Sequence, residues 1–393
     1  MKNIVNVSLA IFSIIMVLIL LEAVIGAFSC GQRIIATERI DPEVVDRRGC
    51  RPDPVFNRAH VPNYSFTYPA SDGQEEDILV GYNAKGLNDI ERGYAKPAHT
   101  CRILILGDSF VEAIQVERDD NFCRLLEGRL NSSMPGENFE IINAGISGYS
   151  PLLEYLFLER EGMKYDPDIV VLCFFMNDVF EDREYKDMAR FDKNGLPISV
   201  HYEGFDKFKQ LKGWKRLERS VCNKIKSFLK RSRFYTFLKK RTYVLLKRLG
   251  LKKSSVNRNQ FLVLREQEYP EEKGMWADTE KYIHAIDELA EKNDSRMLLV
   301  SIPLEAELVN DPKDAAFKSY FKNKPYSKRV RENLLRICRG RNIYFIDLLE
   351  EFRDAEAEGL YFRDDGHFNA NGHRMTADIL HRHLRMFYVK DPN

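Results

Sequence analysis

From Arg102 onward the apolar positions come in short unbroken runs: Arg102–Gly107, Phe139–Ala144, Asp168–Phe175, Arg296–Ile302 and Ile343–Leu348. Runs of that length, largely apolar at consecutive rather than alternate positions, are the pattern of buried parallel strands. Between them lie stretches with helical spacing: Asn121–Leu130, Leu152–Glu161, Thr279–Lys292 and Lys328–Arg339, with a last helix over Ala370–Arg385. Strands alternating with helices predict an α/β domain over residues 101–393, built on a doubly wound, parallel, five-stranded sheet. Residues 31–100 read as an irregular lead-in rich in Pro, Arg, Asp and Tyr, with short strands at Tyr64–Tyr68 and Ile78–Asn83.

Two stretches break this rhythm. Ile4–Phe28 is apolar apart from Asn6, Ser8, Ser13 and Glu22. About 20 apolar residues cross a bilayer as a helix, so residues 1–30 predict an N-terminal transmembrane anchor or signal. Ala27 and Ser29 before Cys30 also fit a cleavage site, but the apolar stretch exceeds the usual signal-peptide core and favours an uncleaved single span. Arg33, Arg39, Arg47 and Arg48 follow it, which by the positive-inside rule holds the body in the cytoplasm. Long domains, however, translocate largely regardless of charge, and the expectation is a body outside the cytoplasm, periplasmic or at the cell surface.

The second stretch, residues 206–258, holds 19 Lys and Arg against two acids, Asp206 and Glu218. Leu211, Trp214, Leu217, Val221, Ile225 and Phe228 recur within it at helical steps, which predicts a basic helical insertion. It is either a solvated cap over the sheet or a face for a membrane surface or anionic polymer. Nucleic acid is not an expected partner of an exported domain.

Composition sharpens this picture. The 393 residues carry a formal net charge of +1, yet the insertion alone is +17 and the remainder −16. At 44% hydrophobic residues the chain buries a sizeable core, which excludes wholesale disorder. A mean hydropathy of −0.39 excludes a polytopic membrane protein. Seven cysteines, odd in number and without a CxxC pair, read as small buried thiols rather than a disulfide framework.

In doubly wound sheets ligands sit beyond the carboxyl ends of the strands. Gly107-Asp108-Ser109-Phe110 follows the first strand, and Asn143-Ala-Gly145-Ile-Ser-Gly148 the second. Met176-Asn177-Asp178 follows the third, and Asp364-Asp-Gly-His367 precedes the last helix. Singly, each is more often a turn or a cap. Together and in this order they resemble the SGNH (GDSL-type) hydrolase superfamily, in its membrane-anchored bacterial form, from about Cys101 to the end. Two departures stand out: Phe110 where many members have Leu, and Phe175 where the family often has Gly.

The resemblance implies a flavodoxin-like fold and a Ser-His-Asp serine hydrolase. Ser109 would be the nucleophile, His367 its base and Asp364 the acid orienting the imidazole, with Asp365 as rival. The Ser109 and Gly145 amides and the Asn177 side chain would form the oxyanion hole. No cofactor is expected, nor a metal: there is no HExxH, and His381 and His383 point to different helix faces. The function expected is an esterase acting on O-acyl, chiefly acetyl, esters of cell-envelope glycan or lipid. The alternatives are an O-acyltransferase using the same acyl-enzyme, a lipase facing the cytoplasm at the inner leaflet, and a non-catalytic membrane-anchored envelope-binding module. Four intact blocks argue against the binding module. If the basic insertion meets a membrane, reversing several lysines between Lys224 and Lys253 will weaken cosedimentation with anionic vesicles; unchanged binding would leave it a plain cap.

Overall fold

The computed structural model describes residues 45–46, 48–71, 74–201, 270–308, 328–354, 359–362 and 365–389. The apolar stretch Ile4–Phe28, the basic insertion 206–258 and Asp364 lie outside the described residues. Among the described residues, no helix is long and apolar enough to cross a membrane.

Two short antiparallel pairs come first: β1 (Cys50–Asp53) with β2 (Asn57–His60), and β3 (Ser65–Tyr68) with β4 (Ile78–Gly81). Then β5 (Thr100–Gly107) leads into α1 (Ser109–Glu112) and α2 (Phe122–Ser133). β6 (Asn138–Gly145) is followed by α3 (Pro151–Arg160), and β7 (Ile169–Phe174) by α4 (Asp178–Lys186). After the hairpin β8 (Ala189–Phe191) and β9 (Pro197–Val200) come α5 (Pro270–Lys292), β10 (Arg296–Ser301) and α6 (Glu305–Leu308). The chain closes with α7 (Arg329–Arg341), β11 (Tyr344–Asp347), α8 (Leu348–Asp354) and α9 (Ala370–Val389).

β5, β6, β7, β10 and β11 form one parallel sheet in the order β11-β10-β7-β5-β6. All five are the strands predicted from unbroken apolar runs, and their buried residues explain the pattern. Ile103, Ile105, Ile141, Val171 and Leu298 face a core shared with Phe122, Leu126 and Leu380 of α2 and α9. Leu104, Leu106, Val170 and Leu172, alternating with them, are buried as well. The order reverses direction between β5 and β7, so the crevice beyond these two strand ends is where such a sheet takes a ligand.

Helix starts are less legible than strands. α5 begins at Pro270, well before the Thr279 expected, because Pro suits the first turn of a helix. α4, polar over most of its length, and the hairpin β8/β9 carry no strong apolar period and were not foreseen.

The run of β5 opens on Arg102, which is 1% exposed. Its guanidinium meets Glu140 at 2.6 and 2.9 Å and the carbonyls of Tyr94 and Tyr165 at 2.8 and 2.6 Å, so the buried charge is paired. Tyr94 belongs to the lead-in, which is thereby tied to the base of the sheet.

Carboxyl groups crowd the opposite side of the site end. Among the described residues, both oxygens of the buried Glu154 lack a hydrogen-bond partner, as does one oxygen each of Asp178 and Glu181. Burial pushes Glu154 and Asp178 well up, and their neighbours Asp108, Asp182 and Glu181 add to the effect. Burial likewise lifts Asp182 to about 7 and Glu181 to about 8. A carboxyl raised on folding holds a proton that the unfolded chain releases. Stability therefore falls as pH rises from the ordinary carboxyl range toward the folded value, by up to about 1.4 kcal/mol per pH unit and group. Thermal unfolding at pH 5.5 and 8 will show Tm lower at pH 8, and Glu154→Gln will reduce the difference. An undiminished difference in that variant would contradict the assignment.

Candidate active site

The Ser109 end is built by close approach. Gly107, the last residue of β5, is the register partner of Gly145, the last residue of β6. A Cβ on Gly107 would collide with the Val111 side chain; one on Gly145 would meet the Glu112 backbone nitrogen and come within 2.6 Å of the Val111 carbonyl carbon. Glycine at both places lets α1 lie directly against the strand ends. Asp108 makes the turn: buried, it accepts the Phe110 N–H at 2.9 Å and caps α1. Ser109 thus becomes the first residue of α1, and no acceptor among the described residues takes its N–H.

Ser109 Oγ lies 2.8 Å from His367 Nε2. The other ring nitrogen, Nδ1, is hydrogen-bonded to Asp365. The second Asp365 oxygen accepts the Tyr68 hydroxyl at 2.8 Å. Burial alone would raise the Asp365 carboxyl, but the hydrogen bond and charge of His367, with Tyr68 and Gln115, outweigh it and hold the group below its ordinary range. An ionised carboxylate on Nδ1 keeps the proton there and leaves Nε2 to accept from Ser109. The acid facing the imidazole is therefore two residues before it, whereas the expected Asp364 is three before it and lies outside the described residues.

The loop bearing His367 is pinned on both sides. Phe362 N–H donates to the His367 carbonyl at 2.8 Å, and Tyr361 pairs with Phe368 in an isolated bridge. The two departures from the family pattern meet here: the Phe110 and Phe175 rings are 4.7 Å apart, and Phe110 lies 4.9 Å from the imidazole. The larger side chains fill one space together and wall the histidine on its apolar side.

The expected oxyanion donors are placed differently from one another. The Gly145 N–H donates to Asn143 Oδ1 at 3.0 Å and is satisfied there; its glycine serves the packing of α1. Gly148, at the end of the same motif, has φ +75° and offers an N–H that no acceptor among the described residues takes. Asn177 stands at the N-cap position of α4 just past β7 without a side-chain capping bond, and its buried Oδ1 has no hydrogen-bond partner among the described residues. Its side chain lies at Asp108 and Glu181; burial raises both carboxyls, and the Asn177 contact partly offsets this.

A second buried pair holds the same loop. Glu112, at the end of α1, contacts His60 Nε2 at 3.2 Å and accepts from the Tyr82 hydroxyl at 2.9 Å and the Ser147 N–H at 2.8 Å. His60 Nδ1 faces the Gly86 carbonyl at 2.9 Å, so both ring nitrogens face acceptors and the ring is cationic. Burial disfavours both charges, yet their mutual attraction wins, raising His60 and lowering Glu112. His60, Tyr68 and Tyr82 escaped the sequence reading because lead-in tyrosines and a lone histidine carry no motif. Among the described residues, no group of His, Cys, Asp and Glu is arranged to hold a metal ion.

Comparison with known proteins identifies the family. The model of the GDSL-like lipase/acylhydrolase family matches residues 105–375. No curated protein matches the chain. Among solved structures it is similar to the acetyl xylan esterase AlAXEase, at 16% identity and TM-score 0.39, over 72% of this chain and 99% of that one. It is similar to TesA at 12% identity and TM-score 0.38, over 72% and 98%. To the psychrotrophic esterase EstA from Pseudoalteromonas sp. it is 13% identical, with TM-score 0.37, over 73% and 97%. At such identities and scores the likeness says nothing of substrate. The family match, which runs from within β5 into α9 and takes in more than half of the sequence, places the chain in the GDSL-like lipase/acylhydrolase family, as an SGNH serine hydrolase of carboxylic esters.

Proposed function

We propose that the chain cleaves acyl esters through an acyl-enzyme on Ser109, with acetyl esters of cell-envelope glycan or lipid as the substrate class. The observation that carries the reading is the line Ser109 Oγ, His367 and Asp365. Ser109 Oγ attacks the ester carbonyl carbon while its proton passes to Nε2. The carbonyl oxygen, now negative, is held by the N–H groups of Ser109 and Gly148, for which the described residues hold no acceptor. The bond to the alcohol breaks as Nε2 returns the proton to the departing oxygen. Water then gives a proton to Nε2 and attacks the acyl carbon, releasing the carboxylic acid and restoring Ser109. A sugar hydroxyl in place of water would make the last step an acyl transfer.

The envelope part of the proposal rests on sequence. Ile4–Phe28 supplies an anchor, and the basic stretch 206–258 a face for anionic surfaces. The hydrolase body is accordingly placed outside the cytoplasm, tethered by a single span.

Activity on a short-chain aryl ester tests the assignment of roles. Ser109→Ala will lower kcat/KM by about 10⁴-fold or more with the fold intact by circular dichroism. Asp365→Asn will cost a comparable factor, because the wrong tautomer is then favoured, about 10⁴-fold in a related arrangement. Asp364→Asn will stay within a few-fold of the parent. The reverse order of these two Asp variants would move the orienting role to Asp364.

A further inference from the structure

We propose that Tyr68 is a positioning residue of the hydrolytic site, reaching Asp365 from a lead-in strand outside the region that the family match covers. The proposal rests on the reading of Ser109, His367 and Asp365 as the catalytic line. A carboxylate held at one oxygen turns about its Cβ–Cγ bond and swaps which oxygen meets the imidazole. Asp365 is held at both: His367 on one side, the Tyr68 hydroxyl at 2.8 Å on the other. That fixes the carboxylate plane, and through it the direction in which Nε2 faces Ser109.

Tyr68 is itself held in place. It ends β3, where it pairs with Ile78 of β4, and it packs against a small core of Phe66, Ile78, Val80, Tyr82 and Ile114. Ile114 follows α1 directly, so this core joins the lead-in to the segment that presents the nucleophile. Gln74 adds a hydrogen bond to the Gln115 carbonyl at 2.9 Å, beside the same site. The groups facing Asp365 are His367, Tyr68 and Gln115, and the Arg48 guanidinium lies over the Tyr68 ring at 5.5 Å.

The competing role is structural: Tyr68 would merely pin the lead-in to the body. Tyr68→Phe keeps the ring and removes only the donor, and the full chain is the protein to use. Its kcat on an aryl ester will fall about tenfold with KM nearly unchanged, the size expected for a lost hydrogen bond to a charged group. The acid limb of kcat/KM will move up by about half a pH unit, because a carboxylate without its second donor holds the imidazolium proton more tightly. Tyr94→Phe, which removes a lead-in hydrogen bond to Glu161 outside the core that holds Tyr68, will lower Tm and leave the limb in place. If Tyr68→Phe keeps full kcat, or lowers Tm with the limb unmoved as in Tyr94→Phe, the positioning role is overturned. Ser109→Ala run alongside separates the two readings: full activity there would remove the catalytic line and the proposal with it, whereas an inactive Ser109→Ala beside an unchanged Tyr68→Phe would remove the proposal alone.

Discussion

The site depends on how closely a four-residue helix can approach two strand ends. Gly107 and Gly145 are opposite one another in register, and neither position has room for a methyl group. Because α1 lies flat against them, Ser109 projects at the mouth of the sheet rather than over its face, and Glu112 at the other end of α1 points back into the protein. One packing constraint thus sets both the place of Ser109 and the anchor that holds the neighbouring loop. The 2.8 Å contact of Ser109 with His367 then needs only the separately pinned loop that carries the histidine.

Around that contact the protein divides two kinds of buried charge. Asp365 and Glu112 are paired with imidazole rings and stay ionised in spite of burial. Glu154 and Asp178, behind the nucleophile, lack such a partner and take up protons instead. The field at the site is therefore that of a few fixed, oriented groups, and donors held in place in this way act on a developing oxyanion without having to reorganise. The lead-in takes part in this, since both paired carboxylates receive a tyrosine hydroxyl from it, Tyr68 on Asp365 and Tyr82 on Glu112.

The sheet strands were legible because the central ones, β5 and β7, are buried on both faces and their neighbours along much of their length, which leaves short apolar runs at regular places between helical stretches. The blocks that carry Ser109 and His367 stood out for a related reason: they stand at fixed places relative to those strands. Gly145 was misleading, since a glycine in a loop motif can serve close packing or offer an N–H, and only the Asn143 contact separates the two. The choice between Asp364 and Asp365 is of the same kind, because adjacent residues in a loop differ only in direction. Tyr68 and His60 were invisible, as their roles come from contacts across hundreds or tens of residues rather than from spacing.

The central claim is that Ser109 is an activated nucleophile, and covalent labelling tests it most directly. Incubation of the full chain with a fluorophosphonate, followed by peptide mass spectrometry, is predicted to give a single adduct on the peptide containing Gly107-Asp108-Ser109, with none in Ser109→Ala. Absence of any adduct, or one that survives in that variant, would contradict the account.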